Sequence, residues 1–179
     1  MKKLLASAVL GVVMALGGCS ASPMKEYKGS TPEIAFEEFF SGDIKGWGLV
    51  QNRSGKVIRR FDVVMKGTWT GDTGMLEETF TYYDGETQKR IWHIKKLVDG
   101  KYEGRAEDIL GKATGETAGS AARWKYSMDL PVGDTTYKIT FDDWMFRMND
   151  GIVINRSYLK KFGVTVAELT LFMQKQAPK

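Results

Sequence analysis

The chain reads as mainly β: an antiparallel up-and-down barrel of about eight or nine strands preceded by one short helix. Three observations predict it. From Ile44 onward, runs rich in Trp, Tyr, Phe, Val and Thr are separated by turn sequences, among them Ser54-Gly55, Gly71-Asp72-Thr73-Gly74, Asp84-Gly85, Asp99-Gly100 and Asn149-Asp150-Gly151. Within the runs apolar and polar residues alternate, so each strand has one buried and one wet face. A string of hairpins leaves two free edges, and closing the sheet on itself removes both. A two-sheet sandwich is the alternative arrangement.

The elements follow in chain order. Residues 1–18 have the parts of an export signal: Lys2 and Lys3, an apolar stretch from Leu4 to Leu16, and small residues at Gly17 and Gly18. The apolar stretch is too short to span a bilayer as a mature helix. Leu16-Gly17-Gly18-Cys19 resembles the bacterial lipoprotein box. That resemblance implies a diacylglyceryl thioether on Cys19, cleavage just before it and acylation of the new amine; an uncleaved anchor with an incidental cysteine is the alternative. At roughly 0.8 kcal/mol per buried methylene, two or three acyl chains attach a protein permanently without spanning the membrane. Ser20, where many inner-membrane lipoproteins carry Asp, implies by the same resemblance the inner leaflet of the outer membrane, facing the periplasm.

Residues 19–30 read as the lipidated cysteine and a tether, since Ser20 to Lys28 has no apolar periodicity. Residues 31–179 read as one domain. Thr31-Pro32 is a cap and first-turn pair, followed by Glu33, Glu37 and Glu38 near the start and by Ile34, Ala35, Phe39 and Phe40 on one face. This predicts a helix over 32–40. In the strands, Val57, Phe61, Val63, Met65 and Trp69 alternate with Arg60, Asp62, Lys66 and Thr70. Trp124, Tyr126, Met128 and Leu130 do so against Arg123, Lys125, Ser127 and Asp129, and Tyr137, Ile139, Phe141 and Met145 repeat the pattern. Gly46-Trp47 resembles the Gly-x-Trp opening of lipocalin barrels without its intervening residue. The Gly-rich stretch from Gly111 to Gly119 matches neither a P-loop nor a dinucleotide fingerprint, and is expected to be a mobile surface connection or lid.

Composition narrows the function classes. Loss of Lys2 and Lys3 with the signal removes two charges from a formal +4, so the mature domain is only weakly basic and no nucleic-acid partner is implied. Cys19 is the single cysteine, and its lipidation excludes disulfides, thiolate zinc sites and cysteine nucleophiles within the chain. No motif calls for a metal or a cofactor. His93 is the only histidine, and without a nucleophile elbow or a zinc-binding pair it reads as a surface or rim residue. Asp142 and Asp143 are adjacent in a strand and point to opposite faces, which argues against a shared metal or substrate.

Asp84-Gly85-Glu86-Thr87-Gln88 with Arg90 and Trp92, Gly111-Lys112-Ala113-Thr114-Gly115-Glu116, Phe141-Asp142-Asp143-Trp144-Met145 and Lys161-Phe162-Gly163-Val164 together resemble an uncharacterised family of proteobacterial lipoproteins, domain of unknown function 3833. The similarity covers most of residues 32–174. It implies a lipocalin-like envelope domain and brings no activity with it.

Charges on otherwise apolar strand faces are the candidate functional residues, because each ion costs several kcal/mol to desolvate unless paired or solvated. By alternation these are Arg59, Glu78, Asp143 and Arg156, with Asp108 and Arg90 as weaker members. Arg59 and Arg156 are expected either to pair with Glu78 and Asp143 or to hold an anionic head group. The structural alternative places these charges at strand ends or in an ion-pair network. Trp47, Trp69, Tyr82, Trp92, Trp124, Tyr126 and Trp144 are candidates for the walls of an apolar cavity, although aromatics also fill barrel cores. The leading expectation is a membrane-anchored, non-enzymatic barrel whose ligand is a hydrophobic or amphipathic molecule such as a fatty acid, contacted by Arg59, Glu78, Trp92, Trp124, Tyr126, Asp143 and Arg156. An envelope scaffold with a protein partner, and an enzyme using Glu78, Asp108 or Asp143 on an envelope lipid or glycan, are the alternatives.

Overall fold

The computed structural model describes residues 23–177, in which ten antiparallel strands close into a barrel. They are β1 (Gly42–Asn52), β2 (Val57–Thr70), β3 (Thr73–Tyr82), β4 (Thr87–Lys96), β5 (Lys101–Arg105), β6 (Ala113–Ala118), β7 (Ala121–Val132), β8 (Thr135–Arg147), β9 (Ile152–Lys161) and β10 (Val164–Lys175). Each strand pairs with its sequence neighbours, and β10 returns to β1 in a register running from Ile44 opposite Lys175 to Asn52 opposite Ala167.

The up-and-down barrel is the expected architecture, with ten strands in place of eight or nine. The extra pair is the β5–β6 hairpin. Its strands are short, and Gly104 and Gly115 stand where an apolar side chain would have marked the lumen face. A Cβ on Gly104 would fall 2.4 Å from the Trp124 ring and one on Gly115 2.5 Å from it, so the indole of β7 fills the space that these strands leave. The stretch from Gly111 to Gly119, expected as a mobile connection or lid, is therefore mostly strand β6.

Alternation sorts the remaining strands as anticipated. Phe61, Val63 and Met65 of β2, Trp124, Tyr126 and Met128 of β7, and Ile139, Phe141 and Met145 of β8 are buried and share one core. Each large apolar side chain removed from water contributes roughly 1.5–3 kcal/mol. Val57, expected on the buried face, is exposed at the strand end.

The helix expected over 32–40 is a single α-helical turn, α1 (Phe36–Phe39), which plugs one end of the barrel. Ile34, Phe36, Phe39 and Phe40 are all buried, so the segment is apolar on several sides and enters the barrel mouth as a stopper. Trp69 Nε1 donates to the Phe40 carbonyl at 3.1 Å, Tyr102 donates to Glu37 at 2.8 Å, and Lys96 pairs with Glu37. Gly67 permits this approach, since a Cβ there would lie 1.7 Å from the Phe40 carbonyl oxygen.

Ahead of the plug, Met24–Tyr27 forms a 3₁₀ turn against the outer wall. Met24 packs with Ala121 and Trp144, and Tyr27 lies 5.6 Å from the Phe146 ring. The stretch read as a free tether is thus docked from Met24 onward. The export signal, Cys19 and its lipid lie outside the described residues. Among those that are described, no helix is long and apolar enough to cross a membrane.

Candidate functional site

Above the plug the barrel lumen holds a cavity of about 100 Å³ that is partly open to solvent. Most of its wall is apolar, with Phe61, Met65, Leu76 and Leu171 among the lining residues. Its aromatic side is a connected stack: Trp92 lies edge-on to Trp124 at 5.5 Å and to Tyr126 at 5.2 Å, and Tyr126 stacks on Phe141 at 4.9 Å.

Into this wall the strands insert two polar groups. On one side are Glu78 of β3 and Arg90 of β4, direct partners in the strand register. Arg90 Nε and Nη2 clamp Asp108, at 2.9 and 2.7 Å, and Trp92 Nε1 donates to Glu78 at 3.2 Å. Asp108 belongs to the loop between β5 and β6, so this ion pair latches that loop onto the barrel. Burial alone would disfavour the charge on Arg90, but neighbouring Tyr126, Glu78 and Asp108 outweigh it and hold the guanidinium above its ordinary value. On the other side are Asp143 of β8 with Asn155 and Ser157 of β9, each at least nine-tenths buried. Asp143 Oδ1, Asn155 Oδ1 and Ser157 Oγ have no hydrogen-bond partner, and all three residues line the cavity.

Burial pushes the Glu78 carboxyl up to about 7 against the pull of Arg90 and Trp92. It pushes Asp143 to about 7 as well, against the pull of nearby Ser157 and Arg90. A carboxyl raised on folding keeps protons that the unfolded chain has lost, so stability falls as pH rises from about 4 to 7. Asp142 has the opposite sign. Burial would raise it, yet hydrogen bonds from Arg123 at 2.7 Å and Lys160 at 2.6 Å outweigh that and lower it, so its stabilisation is lost in acid. Thermal melts are therefore expected to peak near pH 4 and to lose several kcal/mol by pH 7.5. Asp143→Asn should flatten this decline; an unchanged profile would rule out Asp143 as its source.

Of the residues singled out by pattern, the barrel brings together Glu78, Trp92, Trp124, Tyr126 and Asp143. Arg59 is not among them: it sits half-exposed at the open rim, over the Tyr82 ring and paired with Glu86 and Asp84. Arg156 is on the outer face, bonded to Glu168 at 2.7 Å. Its strand carries apolar residues on both faces, buried Val153 beside exposed Ile154, and that broke the alternation used to place it. Neither arginine reaches Glu78 or Asp143; the lumenal arginine is Arg90. Among the other aromatics, Trp47 and Trp144 belong to the outer face, Trp69 packs at the plug and Tyr82 at the rim. His93 is exposed, and Asp142 and Asp143 do point to opposite faces. Asn155 and Ser157 escaped notice, though their positions between Val153 and Leu159 share the buried parity of β9.

Among the described residues no group of three or more His, Cys, Asp or Glu side chains is placed to hold a metal ion. No curated protein matches the chain. A family model described as Protein of unknown function (DUF3833) matches residues 13–175, a span that takes in the plug, all ten strands and every residue of the cavity. The chain therefore belongs to the DUF3833 family of proteins of unknown function.

Proposed function

We propose that this barrel is a non-enzymatic carrier or sensor of a small amphipathic molecule, held at the outer membrane by acyl chains on Cys19. The observation that carries the reading is the convergence of three buried, partnerless polar atoms on one cavity in an otherwise apolar lumen. Leaving a buried polar atom unpaired costs about 1–3 kcal/mol. A barrel that served only as a scaffold would be more stable with apolar residues there, whereas a bound polar group would satisfy all three.

Volume limits what is enclosed. A cavity of about 100 Å³ is well below the roughly 300 Å³ at which drug-sized pockets begin. It admits a head group and a short apolar portion; a long acyl tail would have to leave by the rim or displace Phe36 and Phe40. The enzymatic alternative draws on the two carboxyls near 7, which suit general acid–base work. An apolar cavity of about 150 Å³ is filled by benzene alone, so a glycan unit does not fit beside them and binding is the stronger reading.

Native mass spectrometry of the gently extracted lipoprotein is expected to show a discrete excess mass that disappears on denaturation. A bare lipidated chain, still bare after incubation with envelope extract, would overturn the proposal. One observation favours a protein partner instead: at the rim opposite the plug, Phe162 is 94% exposed, and Val132, Ile58 and Val164 are exposed on the same end. Under that second reading Phe162→Ser abolishes a crosslink that the wild type makes.

A further inference from the structure

We infer that the group recognised in the lumen is a primary ammonium, seated on Asp143, Asn155 and Ser157 with Glu78 on the opposite wall. This rests on the ligand-binding reading above and specifies its chemistry. The three unpaired atoms, Asp143 Oδ1, Asn155 Oδ1 and Ser157 Oγ, are all able to accept. An ammonium brings three N–H donors and no acceptor, so one group can satisfy the set; a quaternary ammonium, lacking N–H, cannot.

Charge points the same way. Glu78 and Asp143 line the cavity, and Arg90, the one cation among the lining residues, is paired with Asp108 of the loop behind it. The Arg90 guanidinium is already clamped by Asp108 at 2.9 and 2.7 Å. A carboxylate or phosphate head would meet two further acids and an arginine whose carboxylate partner is in place, whereas a cation offsets the acidic excess. β3 and β8 lie on opposite sides of the ten-strand ring, so Glu78 and Asp143 flank the cavity from both walls. Trp92, Trp124 and Tyr126 add aromatic faces of the kind that attract a cation. The volume of about 100 Å³ suits a short alkylamine, since an apolar cavity of about 150 Å³ takes up benzene, a molecule of similar bulk.

The groups that set the pH response are Glu78 on β3 and Asp143 on β8; Arg90 on β4 with its partner Asp108, Tyr126 on β7 and outward-facing Asp142 on β8 are their charged and titratable neighbours. β9 and β10 present no titratable side chain to the cavity. An alkylamine stays protonated through neutrality, so its affinity should rise between pH 6 and 8 as the acids facing it ionise.

The test uses the full-length lipoprotein in detergent and an amine-free phosphate buffer. n-Butylamine, 1-butanol, butyrate and tetramethylammonium are titrated against the tryptophan fluorescence and the methyl resonances. Expected are butylamine binding at least tenfold tighter than the other three, tighter binding at pH 8 than at pH 6, and a tenfold or greater loss in Asp143→Asn. That variant should fold with a melting temperature at pH 7 no lower than wild type, since it removes a costly buried acid. Butanol or butyrate binding as tightly as the amine, or unchanged affinity in Asp143→Asn, overturns the ammonium and leaves the ligand-binding barrel standing. So does a co-purified molecule without a primary amine. No binding by any probe, together with a bare chain in the native mass spectrum, overturns both.

Discussion

Arg90→Met is expected to destabilise the barrel by about 3 kcal/mol at pH 7 and to free the loop between β5 and β6. Methionine keeps most of the length and makes favourable contacts with aromatic rings, so the loss is chiefly that of charge. Asp108 would be left without its partner, and Glu78 and Asp143 without the one cation among the cavity-lining residues. Removing one member of a buried pair costs about 3–5 kcal/mol; the lower end applies because the Asp108 side chain is 31% exposed and can turn to water. Urea unfolding reads the stability, and tryptic cleavage after Arg105 or Lys112 reads the loop. Arg90→Met with Asp108→Asn should recover much of the stability, since the stranded charge is gone. A single variant within 1 kcal/mol of wild type, with the loop still resistant to trypsin, would show that the pair is no latch.

Trp124→Ala should cost about 4 kcal/mol, at the upper part of the range for large-to-small core substitutions. The indole is buried, lies between Gly104 and Gly115, and touches Phe36 of the plug at 5.5 Å between ring centres and Trp92 at the same distance. Its loss loosens the plug and the narrow β5–β6 sector together. The glycines supply the control. Gly115→Ala alone should be strongly destabilising because its Cβ meets the ring, yet nearly neutral in the Trp124→Ala background, where the space is vacant. Chemical denaturation of the four proteins measures that coupling, and simple additivity would refute the packing account.

Much of this molecule was legible because strand alternation is local. A period of two assigns faces without any knowledge of the partner strand, so the lumen-facing series Trp124 to Leu130 and Tyr137 to Met145, the opposed directions of Asp142 and Asp143, and the inward placement of Glu78 all follow from spacing. Turn chemistry is equally local, which is why the hairpin order and barrel closure could be anticipated.

The β5–β6 pair was not legible, since what makes Gly104 and Gly115 barrel residues is an indole on another strand. Nor was the short plug, where burial on several sides of α1 comes from the barrel mouth and no amphipathic period is needed. The arginines divide along the same line. Pattern ranked Arg59 and Arg156 ahead of Arg90, and closure then put Arg59 at the rim, Arg156 outside and Arg90 within reach of a loop aspartate 18 residues along the chain. Local spacing decides which side of a strand a residue occupies. Only the closed barrel decides how deep it lies, what meets it from across the lumen and whether space remains between them, because those depend on side-chain volumes contributed by strands distant in sequence.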